Sequence, residues 1–186
     1  MELDSFVDGA VAQDLSQLHS MWSLREHAPL AASLAGYTYK YDVSVPVRDF
    51  KALADETRRR LRGLPSSTGG GAAASASAAA SEVKVVAYGH LGDGNLHLNV
   101  CVPAAAADAA GGGNAGVLAA LEPFVFEWVV SRGGSISAEH GVGQHKRDYL
   151  TLQRPPAVLE AMRGVKDLLD PRGIMNPFKV LPEEPR

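Results

Sequence analysis

VKVVAYGHLGDGNLHLNVCV, residues Val83 to Val102, is the stretch on which the fold turns. Val83–Tyr88 and Leu96–Val102 are rich in β-branched and aliphatic residues. They flank HLGDGN, whose Asp93-Gly94 is a strong hairpin signal. A turn centred between Asp93 and Gly94 sets His90 directly opposite His97, with Cβ atoms about 4.5–5.5 Å apart on one face of the ribbon. Asn99, two residues past His97, emerges on the same face because strand side chains alternate.

Upstream, Tyr37–Val45 (YTYKYDVSV) alternates bulky and polar residues and reads as a half-buried strand stopped by Pro46. Val47, Phe50, Leu53, Ala54, Thr57 and Leu61 then recur at helical spacing, with Arg58, Arg59, Arg60 and Arg62 on the wet side and Gly63 as the stop. The arginines are read as a solvated face rather than a ligand site. Downstream, a helix is expected over Ala115–Arg132, with Val117, Leu121, Phe124 and Trp128 on one stripe and Leu118, Val125 and Val129 beside it. Gly133 and Gly134 end it. Ser135–Ala138 is expected to form a fourth strand, and Pro155-Pro156 to open a last helix with inner face Val158, Met162, Val165 and Leu169, closed by Asp170-Pro171. Strand, helix, strand, strand, helix, strand is the ferredoxin-like split βαβ pattern of an α+β domain, here with flanking helices before Tyr37 and after Pro155.

The 186 residues, 46% hydrophobic and 21% charged, suit one globular domain. Two Gly/Ala/Ser-rich stretches, 65–81 and 103–116, lack the bulk to bury much surface and are expected to be flexible loops within that domain. Eighteen basic against 21 acidic residues leave no basic excess, which argues against nucleic acid. No apolar run is long enough to span a bilayer, and Met1–Gly9 carries no leader pattern. The single cysteine, Cys101, excludes a disulfide framework and any cysteine-rich zinc module. A metal would have to use histidine and carboxylate.

Two histidines seven residues apart are weak evidence, equally compatible with a structural role. A second cluster adds to them. Glu139 and His140, in AEHGVG, directly follow the expected fourth strand, at the end of a sheet where sites are commonly built. A His, His, Glu set with an open position is a recurring zinc arrangement, and Zn²⁺ or Mn²⁺ would accept it. The plain alternatives are a helix-start carboxylate for Glu139 and a satisfied loop histidine for His140. The glycine-rich HLGDGN and HGVG match neither a P-loop nor a GxGxxG fingerprint.

WSLRE (Trp22–Glu26), GYTYKYDVSVPV (Gly36–Val47), GHLGDGNLHLNV (Gly89–Val100), GGSISAEHGVG (Gly133–Gly143) and LLDPRGIMNPFKVLP (Leu168–Pro182) occur here in that order. Together they resemble the C-terminal substrate domain of FAD-linked oxidases of the vanillyl-alcohol-oxidase type, in the D-2-hydroxyglutarate and D-lactate dehydrogenase group. YKYDVS and VPV favour the 2-hydroxyglutarate branch. The resemblance implies that His90, His97 and Glu139 bind zinc (or Mn²⁺), that Asn99 and His140 meet the substrate, and that His140 is the catalytic base. It also implies that Arg25 and Lys40 hold substrate carboxylates and that Asn176 touches the flavin. Pro29 stands where such enzymes tend to carry a hydroxyl, and it offers no donor.

The implied reaction is oxidation of a D-2-hydroxy acid to a 2-oxo acid, with hydride passing to FAD and electrons onward to an external acceptor. In the group an FAD-binding domain precedes this one. The chain is therefore expected to lack the main flavin cradle, and by itself to bind metal and hydroxy acid without turnover. Two other readings stand beside this one. Some relatives carry an actin-interacting name, and an exposed flavin-facing surface would seek a partner or self-associate; an open His₂Glu zinc site could also hydrolyse. The resemblance implies a mitochondrial setting in a eukaryote and a cytoplasmic one otherwise.

Overall fold

The computed structural model describes residues 10–62, 64, 83–106 and 114–183. The expected helix stop at Gly63, the loop 65–81, the centre of the loop 103–116 (107–113) and the Met1–Gly9 stretch lie outside the described residues.

Helices α1 (Leu15–Glu26) and α2 (Ala28–Leu34) lead into strand β1 (Tyr37–Ser44). Asp14 caps α1 by accepting the Gln17 N–H. A 3-10 turn at Val47–Asp49 opens α3 (Phe50–Arg62), and β2 (Lys84–His90) and β3 (Asn95–Val102) form the hairpin. After a 3-10 turn at Ala104–Ala106 come α4 (Ala115–Leu121), α5 (Phe124–Ser131), α6 (Leu150–Gln153) and α7 (Pro156–Leu169). Asn114 caps α4 by accepting the Val117 N–H, so the end of the expected 103–116 loop is built structure.

The sheet is antiparallel in the order β1-β3-β2. Ser135 bridges Ser44 on the free edge of β1, which makes the order 4-1-3-2 of a ferredoxin-like sheet with the fourth strand reduced to one bridge. Gly134 permits that bridge: a Cβ there would lie 2.2 Å from the Ser44 carbonyl oxygen. The strand expected over Ser135–Ala138 does not extend further because its serines bond locally. Ser135 Oγ donates to the Ser137 carbonyl and accepts the Ser137 N–H, which competes with a ladder.

Three other expectations are corrected. The hairpin loop holds four residues, Leu91–Gly94, so His90 faces Asn95 and His97 faces Tyr88. Only Gly94 of the expected pair takes a positive φ (74°), whereas a two-residue type I′ turn needs two; Asp93 instead accepts the Asn95 N–H through its side chain. The helix expected over Ala115–Arg132 breaks into α4 and α5 because Pro123 has no N–H to donate and Glu122 takes an extended backbone. Leu118, expected beside the inner stripe, is exposed, and Phe126 is buried. In α7 only Leu159 is buried; Val158, Val165 and Leu169 are exposed and line, with Met162, a groove of about 830 Å³ against the C-terminal segment.

Helices α3, α4 and α5 cover one face of the sheet. Leu96, Leu98, Val100 and Val102 of β3 are at most 1% exposed there, packed with Tyr41, Val43, Leu53, Leu61, Leu121, Val125 and Val129. Each fully buried aliphatic side chain of this kind contributes about 1.5–3 kcal/mol. The opposite face carries Thr38, Lys40, Asp42 and Ser44 of β1, Asn95, His97, Asn99 and Cys101 of β3, and Val86, Tyr88 and His90 of β2. Helix α2 covers its far end, where the Thr38 hydroxyl donates to the Ala32 carbonyl. No helix among the described residues is long and apolar enough to cross a membrane.

Candidate metal and substrate site

The polar face of the sheet converges on His97, at the centre of the central strand. His90 lies one diagonal step away on β2, and the two rings are 5.4 Å apart, edge to face. The register is shifted by two residues from the direct pairing expected, and an even shift keeps both histidines on one face. Glu139 reaches in from the segment after the Ser135 bridge and sets Oε1 3.4 Å from His97 Nε2. One ligand atom from each of His90, His97 and Glu139 falls within 4.8 Å of the others. Two imidazoles and a carboxylate so arranged match the donor set of a divalent site with open positions.

Asp42 organises this cluster from beneath. It stands directly opposite His97 across the β1–β3 ladder and is only 3% exposed. Its Oδ2 accepts the backbone N–H groups of Ala138 (3.2 Å), Glu139 (2.9 Å) and His140 (2.9 Å). Burial by itself would raise this carboxyl, but the His140 and Glu139 amides and the charges of His140 and Lys146 outweigh it and hold Asp42 below its ordinary range. His97 is lowered, chiefly by burial, against the pull of Asp42 and Glu139. It is therefore neutral and ready to ligate near pH 7. Lys146 donates to the Asp42 carbonyl (3.1 Å) and the Ser137 hydroxyl (3.2 Å), which ties the segment after His140 to the sheet.

The other expected residues distribute unevenly. His140 joins the cluster: its ring stacks on His97 at 6.1 Å, with Nε2 3.9 Å from Glu139 Oε1 and Nδ1 3.9 Å from Asp42 Oδ2. Asn99 is 2% exposed on the same face, and its Nδ2 has no hydrogen-bond partner. Lys40 lies opposite Asn99, exposed, on that face too. Arg25 reaches over from α1, its guanidinium 4.6 Å from the Tyr88 ring centre, and Tyr88 in turn is 5.3 Å from His97. Asn176 does not join: it lines the α7 groove, where Lys179 donates to its side-chain oxygen. Pro29 sits in the first turn of α2.

Sequence reasoning missed Asp42, Tyr88 and Lys146. An acid two residues from Lys40 on a strand whose other face is apolar was a usable signal for Asp42, and the period-two step from His90 was one for Tyr88. Lys146 had none. Among the described residues, the buried side-chain atoms without a hydrogen-bond partner are Asp42 Oδ1, Asn95 Oδ1 and Asn99 Nδ2, all on this face of the sheet. A buried polar atom kept unpaired is costly unless something else satisfies it, so their confinement to the histidine side marks a face prepared for a ligand.

The whole is an α+β domain with one helix-covered sheet face and one face on which histidine, carboxylate and cationic side chains converge. The chain belongs to the FAD linked oxidases, C-terminal domain family, whose pattern matches residues 1–180. It is 42% identical over 176 residues to the mitochondrial D-2-hydroxyglutarate dehydrogenase of Danio rerio, which covers 95% of this chain and 28% of that protein. It is 36% identical over 180 residues (96% and 31%) to a Schizosaccharomyces pombe protein named for mitochondrial D-lactate dehydrogenase. Over 174 residues (94% and 32%) it is 34% identical to the D-2-hydroxyglutarate–pyruvate transhydrogenase of Saccharomyces cerevisiae. The chain thus spans under a third of the length of these relatives.

Proposed function

We propose that residues 1–186 form the metal- and substrate-binding domain of an FAD-dependent D-2-hydroxy acid dehydrogenase, with D-2-hydroxyglutarate as substrate. The observation that carries this reading is the meeting of His90, His97 and Glu139 on the one sheet face that also keeps unpaired buried polar atoms. The residues fit a divalent ion: two nitrogen donors and one carboxylate, with His97 held neutral, suit Zn²⁺ and also Mn²⁺. Held by His90, His97 and Glu139, such an ion would supply Lewis-acid polarisation of the substrate hydroxyl, and a flavin would supply the hydride acceptor.

The chain's own groups do the rest. Arg25 offers a planar two-pronged donor and Lys40 a point charge to the two carboxylates of the acid. Asn99 Nδ2, buried and unpaired, donates to a substrate oxygen. His140 accepts the hydroxyl proton at Nε2, since Asp42 beside Nδ1 favours the other proton staying there. With its hydroxyl proton taken by His140, the hydroxy acid would become a 2-oxo acid on loss of a hydride to a bound flavin. Asn176 is assigned to the flavin side, in the α7 groove, whose lining includes none of the histidines. Electrons pass on to an external acceptor, and the names of the relatives support a mitochondrial setting in a eukaryote. The interaction reading gives the converging side chains no task, and hydrolysis gives Arg25 and Lys40 none.

Calorimetric titration tests this. Zinc is added to metal-stripped chain, and D-2-hydroxyglutarate is then added to the loaded protein. Saturable heat is expected in both steps, with the second lost in metal-stripped chain and in His97→Ala. It should be weakened about ten- to hundredfold in Arg25→Ala, the scale of one charge-assisted contact. D-lactate, with no distal carboxylate, should bind more weakly. A folded chain that takes up zinc but not the acid overturns the substrate reading, and one that takes up no zinc overturns the metal reading.

A further inference from the structure

Asp42 spends its two oxygens on two segments that are far apart in sequence. Oδ2 gathers the three consecutive amides of residues 138–140 and so fixes the backbone from which Glu139 and His140 project. Oδ1 is buried, has no hydrogen-bond partner, and lies 3.8 Å from His97 Nδ1. The opposite nitrogen, His97 Nε2, is the one that faces Glu139. Lys146 binds the Asp42 backbone carbonyl and so does not occupy Oδ1.

We infer that Asp42 is the positioning residue of the metal site: it keeps the His97 proton on Nδ1, leaves Nε2 bare for the ion, and holds the Glu139 arm by its amides. This rests on the metal reading above. A neutral imidazole shares its proton between two nitrogens, and an adjacent carboxylate selects the tautomer that points N–H toward it. At 3.8 Å the pair is outside hydrogen-bond range, and a closing movement of under about 1 Å brings it within. Such a movement satisfies the unpaired oxygen at the moment His97 turns toward an ion, which couples ligation to relief of a buried polar defect.

Asp42→Asn separates the two duties. Its amide oxygen can keep accepting from residues 138–140, and its NH₂ then faces His97 Nδ1, which favours the tautomer with the proton on Nε2. Asp42→Ala removes both. Three measurements decide the matter. First, ¹⁵N spectra of wild-type, metal-free chain at a pH where His97 is neutral should show the proton on Nδ1; a proton on Nε2 overturns the inference without recourse to any variant. Second, zinc affinity should fall about ten- to hundredfold in Asp42→Asn, the usual cost of losing an outer-shell partner; a folded Asp42→Asn with wild-type affinity overturns it. Third, hydrogen exchange at the amides of residues 138–140 should stay slow in Asp42→Asn and accelerate in Asp42→Ala. Wild-type chain that binds no zinc defeats the metal reading, and the His97 tautomer still decides the role of Asp42.

Discussion

The two faces of β3 are equally hidden and chemically opposite. Leu96, Leu98, Val100 and Val102 point into a dry core, whereas Asn95, His97, Asn99 and Cys101, alternating with them, are buried or nearly so on the other side. On the apolar side the Glu122 carboxylate has both oxygens bonded: it accepts the Tyr41 hydroxyl at 3.1 Å and the Tyr149 hydroxyl at 2.8 Å, and Phe126 packs on both rings. On the polar side three buried atoms have no partner. Burial alone therefore does not separate scaffold from site. The state of the polar groups does: they are satisfied on the core face and left unpaired on the face that carries the histidines.

The sharpest break in that comparison is a pair of neighbouring truncations. Leu98→Ala opens a cavity in the fully buried face and is expected to cost about 2–5 kcal/mol, read as a fall in the denaturant midpoint. Asn99→Ala, one residue on, removes a side chain whose Nδ2 has no bond to lose, and is expected to cost distinctly less. Its damage should fall on hydroxy-acid binding. Equal destabilisation by the two would mean that the polar face is simply a second core.

A smaller effect tests the satisfied carboxylate. Glu122→Ala strands the buried Tyr41 hydroxyl, and burial together with Glu122 already pushes Tyr41 well above the phenol range and Tyr149 up to about 12. The expected loss is about 1–3 kcal/mol in chemical denaturation, with zinc affinity of the folded protein unchanged. A change in zinc affinity would show that the two faces communicate through Tyr41 and its neighbour Asp42.

How much of this was legible from residues follows the range of the interactions. The placing of His90, His97 and Asn99 on one face needs only the period of a strand, and it survived a two-residue change of register because an even slip preserves the face. The break at Pro123 was a local signal overridden by a long apolar stripe. The shrinkage of the fourth strand lay in the Ser135 hydroxyl, which bonds both the carbonyl and the N–H of Ser137. The apolar period of α7 set Val158, Met162, Val165 and Leu169 on a face that lines an open groove rather than the core, and its partner was not readable, because the C-terminal segment is held against it by polar contacts. Arg163 donates to the Pro182 carbonyl, and Asp170 accepts the Ile174 and Met175 amides. Lys146 was the least legible, and the local signal at Asp42 said nothing of its contacts, which exist only once β1, β3 and the segment after Ser135 have met.

The smallest effect is in pH, and its sign distinguishes the faces. Burial lowers His97 below 6.5, so the unfolded chain takes up its proton first as the solution is acidified. The neutral imidazole thus contributes stability that is complete above about 6.5 and is lost as pH falls through the lower folded value. Asp42, also lowered in the fold, contributes stability that is complete above its ordinary value of 3.8 and is lost below it. Metal-free chain should therefore weaken in two acid steps, and His97→Ala should remove the upper one. The core face holds no histidine, so Leu98→Ala should shift the whole curve down without altering its shape. Zinc should steepen the upper step, because both His90 and His97 must be unprotonated to ligate. A metal-free profile with no decline between neutrality and the carboxylate range would mean that His97 is not held neutral by its surroundings, and the polar face would then lose its claim to be set up in advance of the ion.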